Sequence, residues 1–205
     1  MSPLIITEAA YPYLVAQRGA LDDMRADPRL WAARYAEVIS AEFNRMAPHL
    51  PDRCDRILDV GSGLGGIDVL LSRHFIGEPA IILLDGVDDP PEVTLHRETF
   101  NSMAVAQEFL AANGIPSFAY IDANDAHRRI SAPVDLIVSC KSWCFHYGPS
   151  QYIDLVKSAC HSDTRIFIDL RYGKREWRDE LEKEFSFEKH IHGGLKFDTW
   201  MLCPL

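Results

Sequence analysis

The chain predicts a doubly wound α/β domain: a mostly parallel seven-stranded sheet with helices on both faces, an antiparallel C-terminal hairpin strand and a helical N-terminal lead-in. Three observations predict it. From residue 56 onward, short apolar runs alternate with helical stretches, the pattern of parallel strands joined by crossover helices. A glycine-rich loop stands where the first of these runs gives way to a helix. The last two strand-like runs are joined by Gly193-Gly194 with no helix between them, which predicts a hairpin and so one antiparallel strand.

Residues 1–55 form the lead-in or a lid, and residues 56–205 the ligand-binding domain. Asp27-Pro28 reads as a helix start, a capping carboxylate followed by a proline where no amide is needed. Trp31, Tyr35, Val38, Ile39, Phe43 and Met46 follow at helical spacing as a packing face, and Pro48 ends the run. Tyr11 and Tyr13 precede it in a segment of weak periodicity. Strands are expected at Arg56–Val60, Ala80–Asp85, Ser117–Ile121, Val134–Cys140, Thr164–Leu170, Phe187–His192 and Phe197–Cys203. Helices are expected at Gly66–Phe75, Ser102–Asn113, about Ser150–Cys160 and Lys174–Phe185. Gly114, Ile115 and Pro116 supply the stop for the second of these. The last carries Trp177, Leu181 and Phe185 on one stripe.

Composition narrows the function. With 21 basic and 30 acidic residues the formal charge is -9, which disfavours a partner held through a phosphate backbone, so no nucleic acid is expected. The apolar runs are too short to span a bilayer, and the N-terminus lacks the basic start and apolar stretch of a signal peptide. Cys54, Cys140, Cys144, Cys160 and Cys203 are an odd number without a C-x-x-C spacing, unlike a secreted disulfide scaffold. A cytoplasmic protein without a membrane partner is expected. Its oligomeric state stays open, a homodimer included.

The sharpest motif is Asp59-Val60-Gly61-Ser62-Gly63-Leu64-Gly65-Gly66, between the first strand and its helix. Glycines there permit a tight turn and close approach of backbone to a ligand. Gly61, Gly63 and Gly66 fit G-x-G-x-x-G spacing. Asp85 ends the second strand 24 positions after Gly61, where an acid accepts hydrogen bonds from ribose hydroxyls. Asp59, two residues before the first glycine, would repel a pyrophosphate but suits an amino group and a sulfonium. The chain is also too short to add an ordinary substrate domain, as a nicotinamide enzyme would need.

On these residues, 56–203 resemble the class I methyltransferases dependent on S-adenosylmethionine. That resemblance implies a Rossmann-like domain over residues 56–205 with S-adenosylmethionine as cofactor. The family's acid before a G-x-G-x-G loop matches Asp59, Gly61, Gly63 and Gly65, and its strand-two acid matches Asp85. An Asp after strand three, contacting the adenine amino group, matches Asp122 in Tyr120-Ile121-Asp122-Ala123. Ser62, Gly86, Ala123 and Cys140 complete the expected cofactor-binding set. Asp68 and Asp125 are read as solvent or cap residues.

Ligands of open parallel sheets bind beyond the carboxyl ends of the strands, so the segment after Cys140 should face the transferred methyl group. It reads Lys141-Ser142-Trp143-Cys144-Phe145-His146-Tyr147-Gly148 and lacks the Asn/Asp-Pro-Pro-Tyr/Phe pattern that the family uses on amino groups of bases and glutamines. His146 is the candidate general base. Lys141, Trp143 and Tyr147 are candidate contacts to the acceptor, with Trp143 or Phe145 also suited to the core. No metal is expected: Cys140, Cys144 and His146 lack a fourth ligand, His190 and His192 form only a pair, and Asp169-Leu170-Arg171 carries no Asp-Asn pair. The leading expectation is methylation of a small molecule, loosely resembling bacterial sugar or natural-product O-methyltransferases, at a hydroxyl. A small-molecule N-methyltransferase, a cofactor-binding module without catalysis and a nicotinamide-binding protein are the alternatives.

Overall fold

A computed structural model describes residues 2–18, 28–86, 102–125 and 127–205. The proposed cap Asp27 lies outside them. Strands β1 (Arg56–Val60), β2 (Ala80–Asp85), β3 (Ala119–Asp122), β4 (Leu136–Ser139), β5 (Ser142–Tyr147), β6 (Arg165–Arg171), β7 (Phe185–Gly193) and β8 (Phe197–Pro204) alternate with helices. The helices are α1 (Tyr11–Arg18), α2 (Pro28–Met46), α3 (Gly66–His74), α4 (Met103–Ala112), α5 (Ile153–Ala159) and α6 (Arg175–Leu181). Seven strands form one sheet in the order β3-β2-β1-β4-β6-β8-β7. β8 runs antiparallel to both β6 and β7, so the expected hairpin closes the sheet. The chain steps outward from β1 to β3 and then returns beside β1 as β4. The switch in direction therefore falls between β1 and β4, where doubly wound sheets bind ligands.

Strand periodicity sorts the core into two layers. Ile57, Ile81, Leu83, Leu136, Val138 and Phe167 face one layer, with Trp31, Tyr35, Ile39, Phe43 and Met46 of α2. Leu58, Val60, Ile82, Leu84, Ile137, Ile166 and Ile168 face the other, with Val156 and Ala159 of α5 and Leu181 of α6. The aromatic stripe of α2 is thus part of the first layer, each such side chain contributing about 1.5–3 kcal/mol by burial. The same parity aims Asp59, Asp85 and Asp169 toward the α2–α3 side, since each lies two residues beyond a residue of the first layer.

Three local expectations are corrected. Ser142–Tyr147 is strand β5 and not a loop, although it stands outside the seven-stranded sheet. Its side chains do not alternate between buried and accessible, since Trp143 and Cys144 are both buried, so the period-two signal of a strand is missing. The expected helix at 150–160 is a 3-10 turn over Pro149–Gln151, then α5 from Ile153, because Tyr152 leaves the helical region with φ -132°. The expected helix over 174–185 stops at Leu181, and Phe185 begins β7.

Candidate functional site

The loop after β1 needs its glycines for two reasons. Gly61, Gly63 and Gly65 adopt φ of +77°, +56° and +74°, in the left-handed region that side chains disfavour. A Cβ on Gly61 would also lie 1.7 Å from Ser142 Oγ, and one on Gly66 would lie 2.2 Å from the Tyr35 hydroxyl. The first contact brings β5 against the loop. The second seats α2 on the start of α3, so the lead-in helix supports the loop from behind.

Asp85 organises the front of the loop. Its carboxylate accepts the Gly63 N–H at 2.5 Å and the Gly86 N–H at 2.7 Å, while Gly61 N donates to Leu84 O at 2.7 Å. Burial pushes the carboxyl above its ordinary range, against the pull of these two amides. Asp122 pairs in register with Asp85 across β2 and β3, and Ala123 N donates to Asp85 O at 2.7 Å. Asp122 itself accepts the Asn124 N–H at 2.8 Å. Asp59, Ser62, Gly63, Asp85, Gly86, Asp122 and Ala123 therefore belong to one end of the sheet. Tyr120 was not anticipated there; its hydroxyl donates to the carbonyls of Asp85 and Gly86 at 3.1 and 2.5 Å.

Asp59 is 2% exposed on the α3 side of β1. Asp68 is fully buried, which corrects its reading as a solvent or cap residue. Burial, then the neighbouring carboxyls of Asp68, Asp85 and Glu42, hold Asp59 well above the usual carboxylate range. Burial also pushes Asp68 up to about 7.

The segment expected to meet an acceptor begins at the turn from β4 to β5. Lys141 and Cys144 hold left-handed φ of +57° and +64°, unusual for side-chain-bearing residues. Asp169 at the end of β6 fixes the turn: it accepts the Lys141 N–H at 3.1 Å and the Thr199 hydroxyl at 2.6 Å. Burial raises its carboxyl to about 6. The Lys141 ammonium is bonded to the buried carboxylate of Glu42 on α2 and lies 5.7 Å from the Phe197 ring centroid. Phe145 packs edge-on against Phe197 at 5.8 Å and beneath the Arg171 guanidinium at 5.5 Å. Cys140, between β4 and this turn, is half-buried, and burial followed by the Glu42, Asp169 and Asp59 charges keeps its thiol well above its ordinary range.

Trp143 is not an acceptor contact. It is fully buried, and its indole N–H donates to Pro149 O at 3.1 Å, which makes it a core side chain. Its own N–H donates to Ser139 Oγ at 2.9 Å, and that hydroxyl donates to Val60 O at 2.7 Å, tying β5 to the β1–β4 junction. His146 is exposed, with its ring 4.8 Å from Phe145. Tyr147 packs on Tyr152 at 6.5 Å. Glu42, Phe197 and Thr199 were missed in the sequence. Glu42 carried a signal, because it falls on the apolar stripe of α2, seven residues after Tyr35. Phe197 and Thr199 arrive through the antiparallel pairing of β8 with β6, in which Thr199 opposes Asp169 and Phe197 opposes Arg171.

Among the described residues no three His, Cys, Asp or Glu side chains gather as a metal site. The Ser62 hydroxyl is buried with no hydrogen-bond partner among the described residues, in the cradle of left-handed backbone formed by Gly61, Gly63 and Gly65. Orphaned polar groups in such a cradle fit a polar ligand. The acidic character of the cradle fits a cationic one.

No family model matches the sequence, and no curated protein matches it. Solved structures do. A ribosomal protein L11 methylase from Lactobacillus delbrueckii subsp. bulgaricus superposes with TM-score 0.57 at 17% identity, over 78% of this chain and 75% of that one. A SAM-dependent methyltransferase from Aquifex aeolicus superposes with TM-score 0.58 at 15% identity, over 80% and 89% of the two chains. The mitomycin 7-O-methyltransferase MmcR gives TM-score 0.61 at 14% identity, over 97% of this chain and 62% of its own. The likeness is one of fold, and the chain shares the fold of these enzymes.

Proposed function

We propose that the protein is a methyltransferase dependent on S-adenosylmethionine that acts on a small molecule, most simply at a hydroxyl. One observation carries the reading: Asp59 near the end of β1 and Asp85 at the end of β2 stand on the same side of the sheet, around a left-handed glycine loop at the topological switch. Asp85 suits two ribose hydroxyls, Asp122 and Ala123 the adenine edge, and Asp59 with Ser62 the cationic amino-acid end. The bound sulfonium would supply an electrophilic methyl group. The protein's part is to align the acceptor with it and to take a proton from a hydroxyl.

His146 is assigned that proton. Imidazole is a side chain suited to taking a proton from a hydroxyl, and the exposed His146 ring packs on Phe145 in the segment that also carries Lys141 and Tyr147. Lys141 and Tyr147 are proposed to hold the acceptor. The formal charge of -9 favours a small acceptor over a nucleic acid. No described helix is long and apolar enough to cross a membrane. We place the enzyme in the cytoplasm.

A second reading has one observation in its favour. Glu42 and Phe197 together surround the Lys141 ammonium, and a carboxylate beside an aromatic ring is also how an amine acceptor is held. Labelled methyl transfer from S-adenosylmethionine onto metabolite pools tests both. Labelled methyl ethers support the hydroxyl reading, and labelled amines the second. Cofactor binding without transfer to any pool would refute catalysis and leave a binding module.

A further inference from the structure

Beneath the glycine loop lies a second acid that the loop motif does not require. Asp68 stands in the first turn of α3 and is fully buried, and neither of its carboxyl oxygens has a hydrogen-bond partner among the described residues. Its Oδ2 is 3.4 Å from the position of a Cβ on Gly65, which puts the carboxyl directly under the loop backbone. Asp59 faces it from β1, within hydrogen-bonding reach when one of the two is protonated. Two carboxylates cannot both stay ionised at that range in a buried setting without a cation between them or close by.

The other charged groups facing the pair are acidic or already engaged. Asp85 on β2 and Glu42 on α2 both add negative charge. The Lys141 ammonium is committed to Glu42. The first turn of α3 offers partial positive charge from its backbone, but too little to balance a second full carboxylate.

We propose that Asp68 and Asp59 form a two-carboxyl cation site under the glycine loop, which shares one proton in the free protein and exchanges it for the cationic end of the bound ligand. This rests on the proposed S-adenosylmethionine reading and deepens it, because it makes Asp68 a determinant of cofactor affinity. The proton leaves to solvent as the ligand's ammonium and sulfonium charge arrives, so the pair goes from one negative charge to two. Burial raises both carboxyls above their ordinary range, Asp68 to about 7. The two carboxyls titrate as a unit.

The test has two arms. In the free wild-type protein at neutral pH, infrared spectroscopy should show a protonated carboxyl stretch that Asp68→Asn or Asp59→Asn alters or removes. Calorimetric titration with S-adenosylmethionine in two buffers of different ionisation enthalpy should show release of about half to one proton per ligand by linkage. Asp68→Asn, or Asp68→Ser if the amide fails to fold, should bind with that release abolished and with flattened pH dependence. Absence of the carboxyl band, or equal proton release by wild type and variant, would overturn the proposal. Failure of the wild type to bind S-adenosylmethionine would instead defeat the functional reading, and the infrared arm alone would then decide the shared proton.

Discussion

Replacing Asp85 with Ala probes the loop and the ligand together. In the free protein its carboxylate accepts the Gly63 and Gly86 amides at 2.5 and 2.7 Å. Both bonds are charge-assisted, and such bonds contribute about 1.5–3 kcal/mol each when fully buried. The residue as a whole is only half-buried, so in the variant water can enter the space the carboxylate leaves and bond both amides. The net loss of stability is therefore about 1–3 kcal/mol for the pair, and the fold survives. When ligand binds, the variant also lacks the charged acceptor for two ribose hydroxyls. Loss of about 1.5–3 kcal/mol of binding energy corresponds to roughly a ten- to hundredfold rise in Kd. Asp85→Asn keeps an acceptor oxygen without the charge and should fall between wild type and Ala. Calorimetry with S-adenosylhomocysteine measures the affinity, and urea unfolding of the same samples measures the stability. An unchanged Kd in folded Asp85→Ala would refute the placement of the ribose at the end of β2.

Three further predictions follow from the same geometry. Gly66→Ala places a methyl group 2.2 Å from the Tyr35 hydroxyl, so the buried Tyr35 ring must move; urea unfolding should show a loss of about 1–3 kcal/mol, the usual cost of overpacking. His146→Ala should lower turnover on a hydroxyl acceptor by about a hundred- to ten-thousandfold while leaving cofactor affinity within about a few fold, and wild-type turnover across neutral pH would show the imidazole to be structural. Asp169 is raised from 3.8 to about 6 by burial, so the folded state holds its proton more tightly than the unfolded chain. Its contribution to stability is present below pH 4 and is lost as pH rises through 6. Relative to Asp169→Asn, the wild type should lose about 3 kcal/mol over that window, an upper value read from denaturation at a series of pH values.

The sheet was legible because its strands are doubly covered and so nearly uniform in apolar character, as in Ile81–Leu84. The loop glycines, Asp59 and Asp85 were legible because each answers a local backbone or charge requirement at a strand end. The acceptor side was less so. Glu42 reaches Lys141 across 99 residues of chain, and Thr199 reaches Asp169 across 30, contacts set by packing and strand pairing and invisible to local pattern. Trp143 shows the same limit from the other direction. An aromatic residue in a segment following a strand reads equally as a ligand contact or as core, and only the buried bond of its indole to Pro149 decides for core. Asp68 was misread because a carboxylate in the first turn of a helix ordinarily faces solvent. Here α3 is buried from Gly66 to Leu71, and the acid is carried inside with it.

On the reading proposed above, the end of the sheet marked by Asp59 and Asp85 holds a sulfonium nucleotide. Calorimetric titration of the purified protein with S-adenosylmethionine, S-adenosylhomocysteine and NAD tests it most directly. Saturable binding of both sulfur nucleotides, with no heat of binding from NAD, is the predicted result. Binding of NAD with no response to either sulfur nucleotide would contradict the account.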